Sequence, residues 1–226
     1  MLNETDINEV RNVMKAFLYL PLEQDEKFGF IIHHPIFSNG VSISRDGELV
    51  DMVNDEVGRE KVIKAMEETI DKTDLNGLFV MLNPPYYLTF LKFVKGYLSL
   101  KDFSELLSEA WTLMENPNAD VNVSKGTAAK WFREADKKCL MEEDEYEHYM
   151  SLPDEMTVYR GVANGRVKKG MSWTDNREKA EWFASRFGGE GYVLSGKVKK
   201  EDVLAYFNRR DEYEVVVEYR DVKETK

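Results

Sequence analysis

The run Asp211-Glu212-Tyr213-Glu214-Val215-Val216-Val217-Glu218-Tyr219 (DEYEVVVEY) reads as a strand over residues 212–219, rich in valine and tyrosine. A period of two places Glu212 and Glu214 on one face. Tyr213, Val215, Val217 and Tyr219 then fall on the other, toward the core. Working back along the chain, residues 200–204 read as a short helical turn, 191–198 as a strand, 176–187 as a helix and 156–162 as a strand. Before this strand-rich third lie helices. Residues 142–150 form a short acidic one. Residues 124–139 form another, capped by Ser124 and carrying Trp131 and Phe132. Residues 99–115 place Phe103, Leu106, Leu107, Ala110 and Met114 on one stripe, and 86–97 are helical and aromatic-rich. The segment 116–123 (NPNADVNV) is a loop by its turn residues.

The first part is mixed. Thr5 is positioned to cap a helix over 6–18, with Ile7, Val10 and Met14 at helical spacing. Residues 40–43 and 48–53 look like paired strands around the turn Arg45-Asp46-Gly47, and 55–72 returns to a helical stripe. The order of elements suggests an α+β chain. Residues 1–55 read as an accessory region and 56–226 as one domain, with a helical lobe over 56–153 and a β core over 154–226. The terminal Lys223-Glu224-Thr225-Lys226 reads as frayed.

Of the 226 residues 42% are apolar and 32% charged, the balance of a soluble globular protein. The formal net charge is −11. Cut at Ser124, the first part holds 11 Lys and Arg against 21 Asp and Glu, and the rest holds 20 against 21. The net charge therefore says little about a site in the final third. One cysteine, Cys139, excludes a disulfide framework within the chain. The opening MLNETDINEV is acidic, without the apolar run of a secretory signal. The apolar stretch 75–100 is interrupted by Pro84-Pro85, Lys92 and Lys95, so no membrane span is expected and the expected location is cytoplasmic.

Two nucleotide-binding patterns fail on context. Gly189-Glu190-Gly191 has a helix before it and a strand after it, the reverse of a dinucleotide-binding turn. Residues 165–172 (GRVKKGMS) have the spacing of a phosphate-binding loop, but Met171 stands where lysine is required. His33 and His34 point to opposite faces of an extended segment, and with His148 they complete the histidines, so no metal site is expected.

Three segments of the final third carry chemistry. In Val158-Tyr159-Arg160-Gly161-Val162 a guanidinium sits inside an apolar strand, where it is costly unless paired. In Gly170-Met171-Ser172-Trp173-Thr174 two hydroxyls share one strand face ahead of a helix. The third segment is the glutamate pair of the opening run. Singly, each has an ordinary structural explanation: an ion pair, a helix cap, or acids in water.

In this order the three resemble the R-S-E class of mono-ADP-ribosyltransferases, which includes arginine-modifying bacterial toxins. That family carries an arginine on its first core strand, a Ser-x-Ser/Thr on the next and a Glu-x-Glu on a later one. Here they are Arg160, Ser172-Trp173-Thr174 and Glu212-Tyr213-Glu214, with helices over 85–150 ahead of the arginine strand. The resemblance implies an ADP-ribosyltransferase-like fold and NAD as co-substrate, without a metal. It implies that Glu214 is the catalytic acid residue and that Arg160 pairs with an NAD phosphate. Ser172 holds Glu214, and Thr174 supports the strand. Gly161 offers backbone hydrogen bonds to the nicotinamide amide, Phe183 or Phe187 covers the nicotinamide ring, and Trp173, counted with the cofactor-binding residues, packs in the core or narrows the cleft. Glu212 orients or deprotonates the acceptor, and a first glutamate in this motif implies a protein arginine. Tyr206, Phe207, Asn208, Arg209 and Arg210 resemble the acceptor-recognition turn. Trp173 departs from the small residue usual at the middle of the Ser-x-Thr motif.

Rival readings within this frame are transfer of ADP-ribose to RNA or DNA, as in toxin–antitoxin or phage-conflict systems, and simple NAD hydrolysis. An inactive binding module is a further alternative, disfavoured because binding does not need Arg160, Ser172 and Glu214 together. A cytoplasmic toxin also implies an antitoxin or regulatory protein partner.

Overall fold

The computed structural model describes residues 2–186, 188 and 190–225. Phe187 and Gly189 lie outside the described residues. By compactness the chain divides into two units, Met1–Ser99 and Leu100–Lys226, so the helices expected to form one lobe over 56–153 are shared between them.

In the first unit, α1 (Ile7–Leu18) buries Val10, Met14, Phe17 and Leu18. Its cap is Asp6 rather than Thr5: the Asp6 carboxylate accepts from the Glu9 N–H at 3.2 Å, while the Thr5 hydroxyl accepts from the Ser99 N–H at 2.8 Å. A carboxylate one residue nearer the helix reaches its free donors better. β1 (Glu23–Gln24) pairs with β2 (Ile32–His33), and β3 (Val41–Ile43) forms the expected hairpin with β4 (Leu49–Asp51). Helices α2 (Glu56–Ile70), α3 (Leu75–Val80) and α4 (Tyr87–Val94) complete the unit. His34 is buried and accepts from the Ile36 and Phe37 N–H groups, whereas His33 is exposed beside Asp25. The two histidines therefore face different surroundings.

The second unit begins with α5 (Leu100–Leu113), α6 (Lys125–Glu134), α7 (Lys137–Leu140) and α8 (Glu143–Ser151). The single helix expected over 124–139 is two. Ala135 is extended, Asp136 caps α7 through the Lys138 N–H, and the Asp136 N–H is taken by Ser104 Oγ at 2.9 Å. An aspartate that can cap a helix competes with continuing one.

The final third contributes β5 (Glu155–Val162), β6 (Ser172–Thr174), α9 (Arg177–Ser185), β7 (Tyr192–Lys199), β8 (Val203–Phe207), β9 (Glu214–Val217) and β10 (Lys223–Thr225). These strands form a six-stranded antiparallel sheet in the order β10-β7-β5-β6-β9-β8. Helix α9 packs on β5, β6 and β7, while α6 and α8 pack on β8. Among the described residues no helix is long and apolar enough to cross a membrane.

Three strand expectations need correction. The strand expected over 212–219 is confined to Glu214–Val217 and all four residues are buried, so it has no solvated acidic face. Asp211 and Tyr213 adopt left-handed backbone, with φ of 53° and 51°, which breaks the alternation before Glu214. Residues 200–204, expected as one helical turn, are a 3-10 turn over Lys200–Asp202 followed by the wholly buried β8. A continuous apolar run suits a strand covered on both faces, and it lacks the alternation that would have announced it. Lys223–Thr225 is not frayed: it pairs with β7 through Lys223↔Lys197, Glu224↔Gly196 and Thr225↔Ser195.

Candidate active site

Strand register brings the three sequence motifs together. Tyr159 of β5 lies opposite Thr174 of β6, and Thr174 lies opposite Glu214 of β9. Directly opposed residues share a face of the sheet, so this row sets Tyr159, Thr174 and Glu214 side by side. Beside it opens a cavity of about 300 Å³ whose walls include Arg160, Gly161, Ser172, Trp173, Thr174, Phe183, Arg210, Glu212 and Glu214.

Glu214 is 8% exposed. The Trp111 indole N–H donates to its Oε1 at 3.0 Å, and Ser172 hydrogen-bonds the same carboxyl group. Ser172 is itself held by Asn118, whose Nδ2 donates to Ser172 Oγ at 3.1 Å and whose Oδ1 accepts from the Met171 N–H at 2.7 Å. A backbone donor on the amide oxygen sets the orientation of Asn118, so its NH₂ must face Ser172. The serine oxygen is then an acceptor toward Asn118, and its proton is free for Glu214. Burial pushes the Glu214 carboxyl above the usual glutamate range. The Ser172 and Trp111 hydrogen bonds oppose that rise, Glu212 adds to it and Arg210 opposes it.

Arg160 is held by carbonyls rather than by a carboxylate. Its Nε donates to Lys168 O at 3.2 Å, Nη1 to Ser172 O at 2.5 Å and Nη2 to Val167 O at 3.2 Å. A Cβ on Gly170 would lie 2.3 Å from Nη2, so glycine is needed for the guanidinium to seat there. Burial lowers the Arg160 pKa from the ordinary arginine value, against the attraction of Glu214 and then Tyr192. Carbonyls leave the charge uncancelled, and three bonds leave two of the five guanidinium N–H groups for a ligand.

Thr174 fixes the loop ahead of Glu214. Its hydroxyl donates to Glu212 O at 2.9 Å and accepts from the Asn176 N–H at 3.1 Å, just where Asn176 caps α9. Trp173 is 2% exposed, and its indole N–H reaches Gly170 O at 3.3 Å. Alternation along β6 turns its ring away from the face of Ser172 and Thr174. Gly161 permits close packing: a Cβ there would meet Ala180 O at 2.1 Å and Ala184 N at 2.7 Å, both on α9. Phe183 of α9 lines the cavity, and Phe187 lies outside the described residues.

The residues expected to read the acceptor separate. Arg210 lines the cavity and pairs with Glu212 at 3.2 Å. Tyr206 and Phe207 are buried in β8, 4% and 2% exposed. Arg209 turns to Glu142 at 3.3 Å, Glu145 at 3.7 Å and Ser108 Oγ at 2.9 Å. The Asn208 N–H donates to Glu145. The physical reason is that β8 runs to Phe207, which leaves residues 208–213 for the turn. Trp111 and Asn118 are the partners that sequence reasoning missed. An inward tryptophan with a polar N–H is a weak signal for the first; Asn118 reads as one more turn residue. Among the described residues no group of His, Cys, Asp and Glu is arranged to hold a metal ion.

Compared with protein-family models, with curated proteins and with solved structures, the chain finds no match.

Proposed function

We propose that the chain is an NAD-dependent mono-ADP-ribosyltransferase that transfers ADP-ribose to a macromolecular acceptor, with protein arginine as the default. The observation that carries this reading is one cavity lined by Arg160, Ser172, Glu212 and Glu214, in which the buried Glu214 is gripped by Ser172 and Trp111. The cavity walls hold four arginines (Arg160, Arg166, Arg186 and Arg210) against three glutamates (Glu115, Glu212 and Glu214). That balance suits an anionic dinucleotide better than the −11 of the whole chain does.

The chemistry asks little acid catalysis of the protein. Nicotinamide is cationic in NAD and leaves neutral, taking the electron pair of the broken C1′–N bond. The positive charge that develops on the ribose calls for a fixed carboxylate, and Glu214 supplies it while accepting a hydrogen bond from a ribose hydroxyl. Arg160 meets a phosphate with its remaining N–H groups. Glu212 takes the proton that the acceptor nitrogen loses as it bonds to C1′.

The test is incubation of the purified chain with labelled NAD and cell lysate. Label is expected in protein, released by protease and resistant to nuclease. Glu214→Ala should lower transfer by about 10²–10³-fold or more. Absence of NAD consumption would overturn the reading. Nuclease-sensitive label would move the acceptor to nucleic acid, and nicotinamide release without labelled macromolecule would make the chain a hydrolase.

A further inference from the structure

The geometry points to a second binding site, for a cationic side chain of the acceptor protein, in the cavity lined by Asp144, His148, Asp175, Tyr206, Asn208 and Tyr213. The proposal rests on the transferase reading for its biological role, though not for its chemistry. The cavity measures about 450 Å³, far more than a bare ion needs and ample for a guanidinium or ammonium with its stem. It adjoins the first cavity along the chain. Thr174 and Glu214 line one while their neighbours Asp175 and Tyr213 line the other.

Three carboxylates, Asp144, Glu145 and Asp175, stand in its walls, and no lysine or arginine is among the described residues that line it. Tyr206 is 4% exposed and its ring stacks on His148 at 4.1 Å, yet its hydroxyl has no hydrogen-bond partner among the described residues. The hydroxyl is open to the cavity, where a ligand can reach it. Asp175 meets the His148 ring at 3.5 Å. Glu145, deeper in the wall, is already satisfied by the Glu142 and Asn208 N–H groups and by Arg209. What remains for a ligand is the carboxylates of Asp175 and Asp144, the free phenol oxygen and the aromatic faces of Tyr206 and Tyr213. All of these attract a cation, and the carboxylates repel phosphates. Burial also raises the Asp175 pKa above the usual aspartate range, against the attraction and hydrogen bond of His148 and a bond from its own backbone N–H.

The test titrates the full chain with methylguanidinium, using methylurea as a neutral control, and follows the His148 imidazole signals by NMR. Saturable shifts are expected with methylguanidinium alone. Tyr206→Phe removes a hydroxyl that bonds nothing in the protein, so the fold should survive. Both Tyr206→Phe and Asp175→Asn should weaken binding by about tenfold. In transfer assays, Asp175→Asn should raise the KM for a protein acceptor by a similar factor. Shifts that also appear with methylurea, that survive both substitutions unchanged, or that a short RNA reproduces would overturn the site. Methylguanidinium binding here without any NAD turnover would leave this site standing and remove the transferase reading. The converse would remove only this site.

Discussion

The role proposed for Glu214 needs a charge, and its surroundings resist one. Burial raises its pKa, so the fold prefers the neutral carboxyl. The stabilising contribution of a raised carboxyl is complete below its unfolded pKa and is lost as pH rises through the folded one. Glu214→Gln should therefore abolish transfer while raising the thermal midpoint near neutrality. Melts of both proteins across pH check this: the gain should vanish in acid below the ordinary glutamate range. The acid limb of kcat/KM should likewise lie above that range. Asn118→Ala removes the group that directs the Ser172 proton, so it should lower kcat about tenfold and move the acid limb further up. A loss of kcat with an unmoved limb would give Asn118 a purely structural role. The roles proposed for Arg160, Ser172 and Glu214 rest on residue types legible in order. Those of Trp111 and Asn118 do not: they meet their partners across 103 and 54 residues of chain, and no local pattern carries that information.

Elements form where periodicity and capping agree, and shift where a neighbour intervenes. Ser124 caps α6 and Asp55 caps α2, as good cap residues should. The hairpin around Arg45-Asp46-Gly47 is likewise readable from its turn. Strand β8 is missed because its five apolar residues are all buried and show no alternation. The pair β5–α9 depends on one glycine. Gly161→Ala would push a methyl group to within 2.1 Å of the Ala180 carbonyl, forcing α9 away from β5 and carrying Phe183 with it. A destabilisation of about 1–3 kcal/mol is expected, typical of overpacking. Denaturant melts would read it, and an unchanged midpoint would mean that α9 yields without cost.

At the scale of the molecule, charge is distributed differently from what a cut at residue 124 suggests. Met1–Ser99 holds 10 Lys and Arg against 16 Asp and Glu, and Leu100–Lys226 holds 21 against 26. The acidic segment 100–124 belongs with the sheet, so both units are acidic and the arginine-lined cavity is a local exception. A chain of net charge −11 should attract basic acceptors and repel nucleic acid. Transfer to a basic protein should therefore slow as salt screens the attraction. A rate that rises with salt would favour a nucleic-acid acceptor. Stopped-time transfer assays over a range of ionic strength decide between them.

The amino-acid order alone determined the α+β class, most helices, the hairpin and the three motifs that name the candidate site, because propensity, periodicity and capping act over a few residues. Tertiary structure decided how Glu214 is buried and which groups hold it. It decided that carbonyls hold Arg160, that Tyr206, Phe207 and Arg209 lie away from the first cavity, and that Asp175 and Tyr206 line a second one. Those outcomes depend on strand register and desolvation, which are properties of surroundings assembled from distant parts of the chain.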